Sequence, residues 1–250
     1  MSRWKAAAIH LSISITIGVV VGALLLFVWY PPPFFHAAGA DVLVLLMVSV
    51  DLGLGPLLTL VVFKSGKRGL KFDLAVIAIA QTVALVYGLS IVLRSRPVFI
   101  ASAVDRLVLV AATDIAPADL AQGSKPEFRS LSLTGPRLVG TQIPSNWKER
   151  NDVLFSSVGG GKDIEDYPKY YVDYTVATPG LLSKAKPVDA VPIRSAEDRA
   201  TLDAAIARTG KPVDQIVWVP IIARKESLVM LLDRQTGTPL RALAINPWPH

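Results

Sequence analysis

The chain has 250 residues, 52% hydrophobic and 18% charged, with a mean hydropathy of +0.45, whereas an ordinary soluble domain carries roughly a quarter charged residues. Residues 1–94 hold 7 Lys/Arg and 3 Asp/Glu while residues 95–250 hold 19 and 17, so a membrane portion precedes a soluble one and a simple cytoplasmic globular protein is excluded. Of the net charge of +6, the first part contributes +4 and the second +2; no Lys/Arg stripe with interleaved aromatics marks a nucleic-acid surface, and the absence of cysteine excludes disulfides and thiolate chemistry.

Three apolar runs open the chain, about 6–29, 42–63 and 74–93. Each reaches the roughly 20 residues that a helix needs to cross about 30 Å of hydrocarbon. The first run, behind Arg3 and Lys5 and ahead of Ala38-Gly39-Ala40, is much longer than the apolar core of a cleaved signal peptide. Trp29-Tyr30 followed by Pro31-Pro32-Pro33 suits an interfacial anchor and a rigid exit, so an uncleaved helix is expected. Arg3 and Lys5 precede the first run, and Lys64, Lys67, Arg68 and Lys71 separate the second from the third; the 30–41 loop has no Lys or Arg. The positive-inside rule then puts the N-terminus in the cytoplasm and the C-terminal domain outside it, in the periplasm of a bacterial inner-membrane protein, with membrane lipid around the helices. Arg94, Arg96 and Arg106 run against the rule but are outnumbered.

Small residues recur every fourth position on two of these helices: Ser14, Gly18 and Gly22 on the first, and Ala80, Ala84 and Gly88 on the third. Such faces allow close approach of another helix, in the same chain or a partner. Asp51 lies near mid-depth of the second helix, where an ionised carboxylate costs about 3 kcal/mol. Counted from the cytoplasmic side at 1.5 Å per residue, Ser14, Thr16, Gln81 and Thr82 fall roughly 10–15 Å deep and Asp51 roughly 18 Å. Three readings of Asp51 stay open: a hydrogen-bonded clamp within the bundle, a partner-binding group, and a transport group. Transport lacks an inverted repeat and a second ionisable group at that depth, and an aspartyl-protease site lacks its second carboxylate. Gly53-Leu54-Gly55-Pro56 marks a loosened stretch, since proline removes an intrahelical hydrogen bond.

Beyond Arg96 the patterns are those of a small α+β domain with an antiparallel sheet. Residues 97–101 and 106–112 read as strands and 117–120 as a short helical start. Asn146 with Glu149 caps a helix that runs to about Ser157, before Gly159-Gly160-Gly161. Lys169–Tyr174 reads as an aromatic strand with Tyr170 and Tyr174 on one face and Tyr171 on the other. Residues 179–193 read as a loop packed on the domain or projecting from it. Ser195 caps a helix over 196–209, closed by Gly210 and Pro212. Residues 215–223, 227–232 and 240–245 form a closing antiparallel meander.

No catalytic set emerges. His10 lies in a membrane run, His36 in the outer loop and His250 at the end of the chain, so neither a histidine triad nor a histidine metal cluster assembles in the soluble domain. Ser156–Lys162 lacks the Gly-Lys-Ser/Thr ending of a phosphate loop and follows a helix. No catalytic, cofactor-binding or metal residues are assigned and no cofactor is expected. The tyrosines 170, 171 and 174 are candidates for an aromatic contact surface, although core and ordinary sheet packing is the reading that the pattern favours.

Several stretches resemble bacterial type IV pilin accessory proteins of the TfpX/TfpZ type. They include Met1–Ala6 with Ile9-His10-Leu11-Ser12, Phe27-Val28-Trp29-Tyr30-Pro31, Asp51-Leu52-Gly53-Leu54-Gly55-Pro56-Leu57-Leu58-Thr59, Lys71–Ala75 and Arg96–Phe99. Val104-Asp105-Arg106, Leu154-Phe155-Ser156 and Tyr170-Tyr171-Val172 belong to the same likeness, which spans most of the chain and is densest before Asp105. The resemblance implies a non-enzymatic inner-membrane protein working with type IV pilin or the inner-membrane pilus machinery and shifting the balance between fibre assembly and retraction. It brings no catalytic residues; Asp51, Gly53, Gly55 and Pro56 lie in its membrane motif, and Asp73 beside the cytoplasmic loop. The alternative from the residues is a membrane-tethered ligand sensor, which needs a separate partner because no cytoplasmic output domain is present.

Overall fold

The computed structural model describes residues 2–248; the expectation for His250 falls outside them. Two compact units emerge. One comprises the chain up to Phe35 and Gly39–Ser95; the other comprises His36–Ala38 and the chain from Arg96 onward.

The first unit contains three helices long and apolar enough to span a membrane, Arg3–Trp29, Ala40–Val62 and Leu70–Ser95. Helix α1 (Arg3–Leu24) is capped by Ser2, whose hydroxyl accepts from the Lys5 N–H, and ends in a π turn, Leu25–Trp29. A short turn, α2 (Phe34–Ala37), follows the prolines. The second span is composite: α3 (Ala40–Val48), a π segment Ser49–Leu54, and α4 (Gly55–Val62). The loosened stretch expected before Pro56 is this π segment. Proline has no N–H to return to the carbonyl four residues earlier, and a wider turn accommodates the missing bond. The third span is one helix, α5 (Leu70–Ser95). Packing places the second span between the other two, α1 along α4 and α5 along both α3 and α4. The buried Tyr30 hydroxyl donates to the Val92 carbonyl at 2.7 Å.

In the second unit, β1 (Pro97–Ala103) and β2 (Arg106–Ala111) form a hairpin, followed by α6 (Pro117–Leu120), β3 (Arg137–Thr141) and α7 (Trp147–Val158). Then come β4 (Tyr171–Val172), α8 (Tyr174–Leu182), β5 (Lys186–Pro187) and α9 (Ala196–Thr209). Strands β6 (Ile216–Ile222), β7 (Leu228–Asp233) and β8 (Pro239–Leu243) close the chain. The sheet order is β4-β3-β1-β2-β6-β7-β8, with β5 also paired to β6. The sheet is mixed: β6, β7 and β8 are the antiparallel meander, and β1 with β3 and β2 with β6 pair in parallel. Two apolar clusters support it, one around Phe99, Val139 and Tyr171, the other around Leu202, Trp218 and Leu231.

Ser195 and Asp198 form a reciprocal capping box on α9, and Gly210 ends that helix at φ +65°. This is the left-handed position that glycine adopts without strain. Asn146 caps α7 by accepting from the Lys148 N–H, but Glu149 completes no box and instead accepts from the Tyr170 hydroxyl at 3.4 Å.

Three sequence expectations need correction. Lys169–Tyr174 is not one strand: Pro168–Tyr170 is a 3-10 turn, β4 has two residues, and Tyr174 starts α8. Pro168 fixes a turn-compatible φ, and the chain then makes only a brief edge pairing with β3. Residues 179–193, expected as a loop packed on the domain or projecting from it, are packed on it, with Val188 and Val191 buried in a core. They are not all loop, because α8 continues to Leu182 and β5 pairs with β6. His36 belongs with the second unit, where its Nε2 lies 3.0 Å from Glu226 Oε1 and the neighbouring Ala37 carbonyl accepts from Lys225 N–H.

Candidate functional site

The membrane unit gathers polar groups around the π segment. A hollow of about 200 Å³ is lined by His10, Ser14, Asp51, Gln81 and Thr82, with Ile13 and Leu85 among its apolar walls. Wider π turns place Asp51 at its edge, and no hydrogen bond to the Asp51 carboxylate is formed among the described residues. The Gln81 amide reaches the Asp51 backbone carbonyl at 3.5 Å. Nearby, His10 Nδ1 and Thr59 Oγ1 are 2.6 Å apart.

Of the expected polar group, Ser14, Asp51, Gln81 and Thr82 meet around one hollow, while the Thr16 hydroxyl turns back to donate to the Ser12 carbonyl. His10 and Thr59 were missed by counting depth alone. Their signal was available in the sequence, as polar side chains inside apolar runs.

A second hollow, about 260 Å³, lies on the other side of Asp51 between α3 and α5; Leu46, Met47, Ala84, Leu85 and Gly88 line it. A β-carbon on Gly88 would stand 3.2 Å from Met47 Sδ, so glycine there allows α3 to approach α5. Gly55 is tighter still, because the Gln81 amide fills the space a side chain would need. Gly18, Gly22 and Gly53 meet nothing within 4 Å of such a carbon, and Ala80 is exposed. Pro56 follows at the start of α4. The small-residue positions thus divide: Gly55 and Gly88 serve packing inside the bundle, and Gly18 and Gly22 leave open surface on α1.

The tyrosines do not form one face. Tyr171 is fully buried, edge-on to Phe99 and Phe128 at centroid distances of 5.1 and 5.8 Å, with its hydroxyl donating to the Glu165 carbonyl. Burial pushes its phenol above the usual range. Tyr174 donates to the Gly237 carbonyl at 2.8 Å, tying α8 to the β7–β8 turn, and burial pushes its phenol up to about 12. Tyr170, partly exposed as Tyr174 is, has Lys169 Nζ 4.6 Å from its ring centroid. It lines a cleft of about 580 Å³ with Lys169, Ile143, Pro144 and Val176.

The same region holds a buried carboxylate. Burial raises Glu165 to about 7, Asp163 and Asp166 push it the same way, and Arg106 opposes them. Among the described residues no group of three or more histidine, aspartate or glutamate side chains is arranged to hold a metal ion.

A family model described as fimbrial assembly protein FimB matches residues 1–39. The chain is 27% identical over 235 residues to the fimbrial assembly protein, serogroup I, of Dichelobacter nodosus, covering 92% of this chain and 90% of that relative. To the fimbrial assembly protein, serogroups C1 and C2, of the same organism it is 32% identical over 121 residues, covering 47% of this chain and 92% of that relative. No solved structure matches the chain.

Proposed function

The chain belongs to the fimbrial assembly protein family, and from that premise we propose that it is a non-enzymatic accessory protein of type IV pilin, of the TfpX/TfpZ kind. It resides in the inner membrane with its N-terminus in the cytoplasm and its α+β domain in the periplasm, as the loop charges favour. It acts by contact with pilin or with inner-membrane pilus components and shifts the balance between fibre assembly and retraction.

One observation carries the membrane part of this reading. Gly18 and Gly22 lie on a transmembrane helix with open space where their side chains would be, whereas Gly55 and Gly88 are used inside the bundle. A small-residue face not used within the chain is suited to a helix from elsewhere. Asp51, with its carboxylate unpaired beside two hollows, adds a polar group that a hydrogen-bond donor on such a helix would satisfy.

The test is crosslinking in native membranes, capture through a C-terminal tag and identification by mass spectrometry, with a strain lacking the paired pilin as control. Recovery of pilin or inner-membrane pilus components is expected, and Gly18→Leu with Gly22→Leu should reduce it. Because both positions are open, leucine there leaves the packing inside the chain intact. Unchanged recovery and unchanged piliation would remove the helix-face contact; recovery of a signalling protein without any pilus component would replace the whole reading with a sensor.

A further inference from the structure

Helix α7 is amphipathic in the inverse sense. None of its twelve residues is buried, and its largest apolar side chains are among the most open in the domain: Trp147 is 68% exposed, Leu154 55%, Phe155 71% and Val158 78%. At 3.6 residues per turn, positions 147, 154, 155 and 158 share one face. The partly buried residues of the helix are Asn151, Val153, Ser156 and Ser157, with Val153 the one apolar side chain among them, and Ser157 anchors the helix by donating to Asp163 Oδ2 at 2.8 Å. A helix stabilised only within its own domain buries the opposite side.

The position of α7 in the sheet is fixed by register. Strand β1 starts at Pro97, paired with Ala111, and ends at Ala103, paired with Arg106. Strand β3 runs parallel to β1 and so delivers the chain to α7 at the Ala103 end. After α7 the chain returns at Asp163, whose Oδ2 is 3.9 Å from Arg106 Nη2. The chain therefore leaves the sheet ahead of α7, and returns to it after α7, at the end of β1 that lies about 20 Å, a full strand length, from Pro97.

We propose that this face of α7, with the adjoining Tyr170 cleft, docks a folded protein partner through an apolar patch rimmed by carboxylates. Charge argues for that chemistry. Lys148 and Arg150 flank the apolar face directly on either side of the helical wheel, both exposed and in no ion pair among the described residues. The exposed carboxylates of the helix, Asp152 and Glu149, lie further round, and Glu149 accepts from the Tyr170 hydroxyl. Lys169 and the exposed Ile143 extend the surface into the cleft. Tryptophan, phenylalanine, tyrosine and arginine are the side chains enriched at protein interfaces, and an apolar patch of several hundred Å² marks an interaction site. A second copy of this chain would set the same two cations nearest the contact, with its exposed carboxylates, Asp152 and Glu149, further round the helix. Only the partner's identity rests on the pilus reading, for which the head of the pilin or a neighbouring pilus component is the natural candidate.

The test places a photo-crosslinking residue at position 155 of the full-length protein in native membranes, with position 213, also exposed, as control. The expected result is a discrete adduct from 155 and none from 213. The crosslinked partner peptide should be apolar and bordered by Asp or Glu, and Lys148→Glu with Arg150→Glu, which sets like charges against that border, should cut the yield at least about tenfold. These substituted side chains are all exposed, so folding is checked simply by an unchanged melting temperature. An adduct to lipid, an adduct only to a second copy, or no adduct in piliated cells overturns the inference. If pilus components are still captured through the tag in that case, the accessory function survives. A charge-dependent adduct to such an acidic-rimmed patch on a protein unrelated to pili sustains the surface and overturns the pilus reading.

Discussion

The side-chain amide of Gln81 occupies the place where a β-carbon of Gly55 would lie: Nε2 would be 1.9 Å from that carbon. Glycine at 55 thus permits a polar side chain of α5 to enter the second span and line the Asp51 hollow. The obstructing atoms are the far end of a flexible side chain, so Gly55→Ala is expected to displace the amide without shifting the backbone, at the expense of its contact with the Asp51 carbonyl. The displacement offsets the gain of about 1 kcal/mol that alanine brings over glycine in a helix. Once Gln81→Ala has removed the obstruction, the same change should stabilise by that full amount. Thermal unfolding of the four proteins in one detergent measures the coupling; equal effects of Gly55→Ala in both backgrounds would show that the two side-chain positions do not compete.

Glu165 gives the domain a pH dependence of defined sign. Its carboxyl is raised to about 7 from an ordinary 4.5, chiefly by burial. The folded state therefore holds the proton more tightly than the unfolded state. The stability this supplies is complete below pH 4.5 and is lost as pH rises through 7. Glu165→Gln should flatten stability between those limits and raise it above pH 7 by up to about 3 kcal/mol, at roughly 1.4 kcal/mol per unit of pKa. Denaturant unfolding from pH 4.5 to 8 checks both the slope and its loss; a wild-type profile that rises over this range is incompatible with the assignment.

Elements whose signals are local were legible in the sequence. The three apolar spans depend only on length and hydropathy, and α9 begins and ends on its own capping residues, Ser195, Asp198 and Gly210. The β6–β8 meander follows from short turns between apolar runs. Elements defined by distant partners were not legible. Core packing is the reading that the pattern favours for the tyrosines, but the sequence does not say which of them takes it; Phe99 and Phe128, separated from Tyr171 by 72 and 43 residues in the sequence, make that one core. Residues 186–187 become a strand only because β6 offers an edge. In the membrane, depth counting brought Asp51, Ser14 and Gln81 together but not His10, because rise per residue carries no information on which way each helix faces. The α7 face was present as a spacing, at 147, 154, 155 and 158, but only the fold reveals that this side is the uncovered one.

Asp233 should dominate the acid side of the stability profile. Lys211 lies 2.8 Å from its carboxylate, and the Gln235 and Thr236 N–H groups and the Thr236 hydroxyl donate to Oδ1. These bonds, Lys211 first, hold its carboxyl well below the usual range. A lowered carboxyl stabilises the fold above its ordinary value of 3.8, and that contribution is lost as pH falls below it. Asp233→Asn keeps the shape but weakens the turn between β7 and β8, with an expected loss of about 2–3 kcal/mol at pH 7, in line with hydrogen bonds to a charged group. The difference between the two proteins should narrow on acidification to pH 3, as read by denaturant midpoints; a difference that widens there contradicts the assignment.

The β1–β2 turn contains a strain that a single substitution should release. Val104 has φ +53°, and it is the one non-glycine residue with positive φ among the described residues. The Asp105 N–H reaches the Ala103 carbonyl at 2.6 Å, closing a three-residue γ-turn around Val104, a rare conformation for a β-branched side chain. The valine is exposed, so its removal forfeits little burial. Left-handed backbone costs an L-residue about 1–2 kcal/mol relative to glycine, against which glycine adds unfolded-state entropy of up to about 1 kcal/mol. Val104→Gly should therefore be neutral to stabilising by about 1 kcal/mol, where valine-to-glycine changes in ordinary strands destabilise. A melting temperature that falls by several degrees would mean that the β1–β2 hairpin depends on the valine side chain in a way its exposure does not reveal.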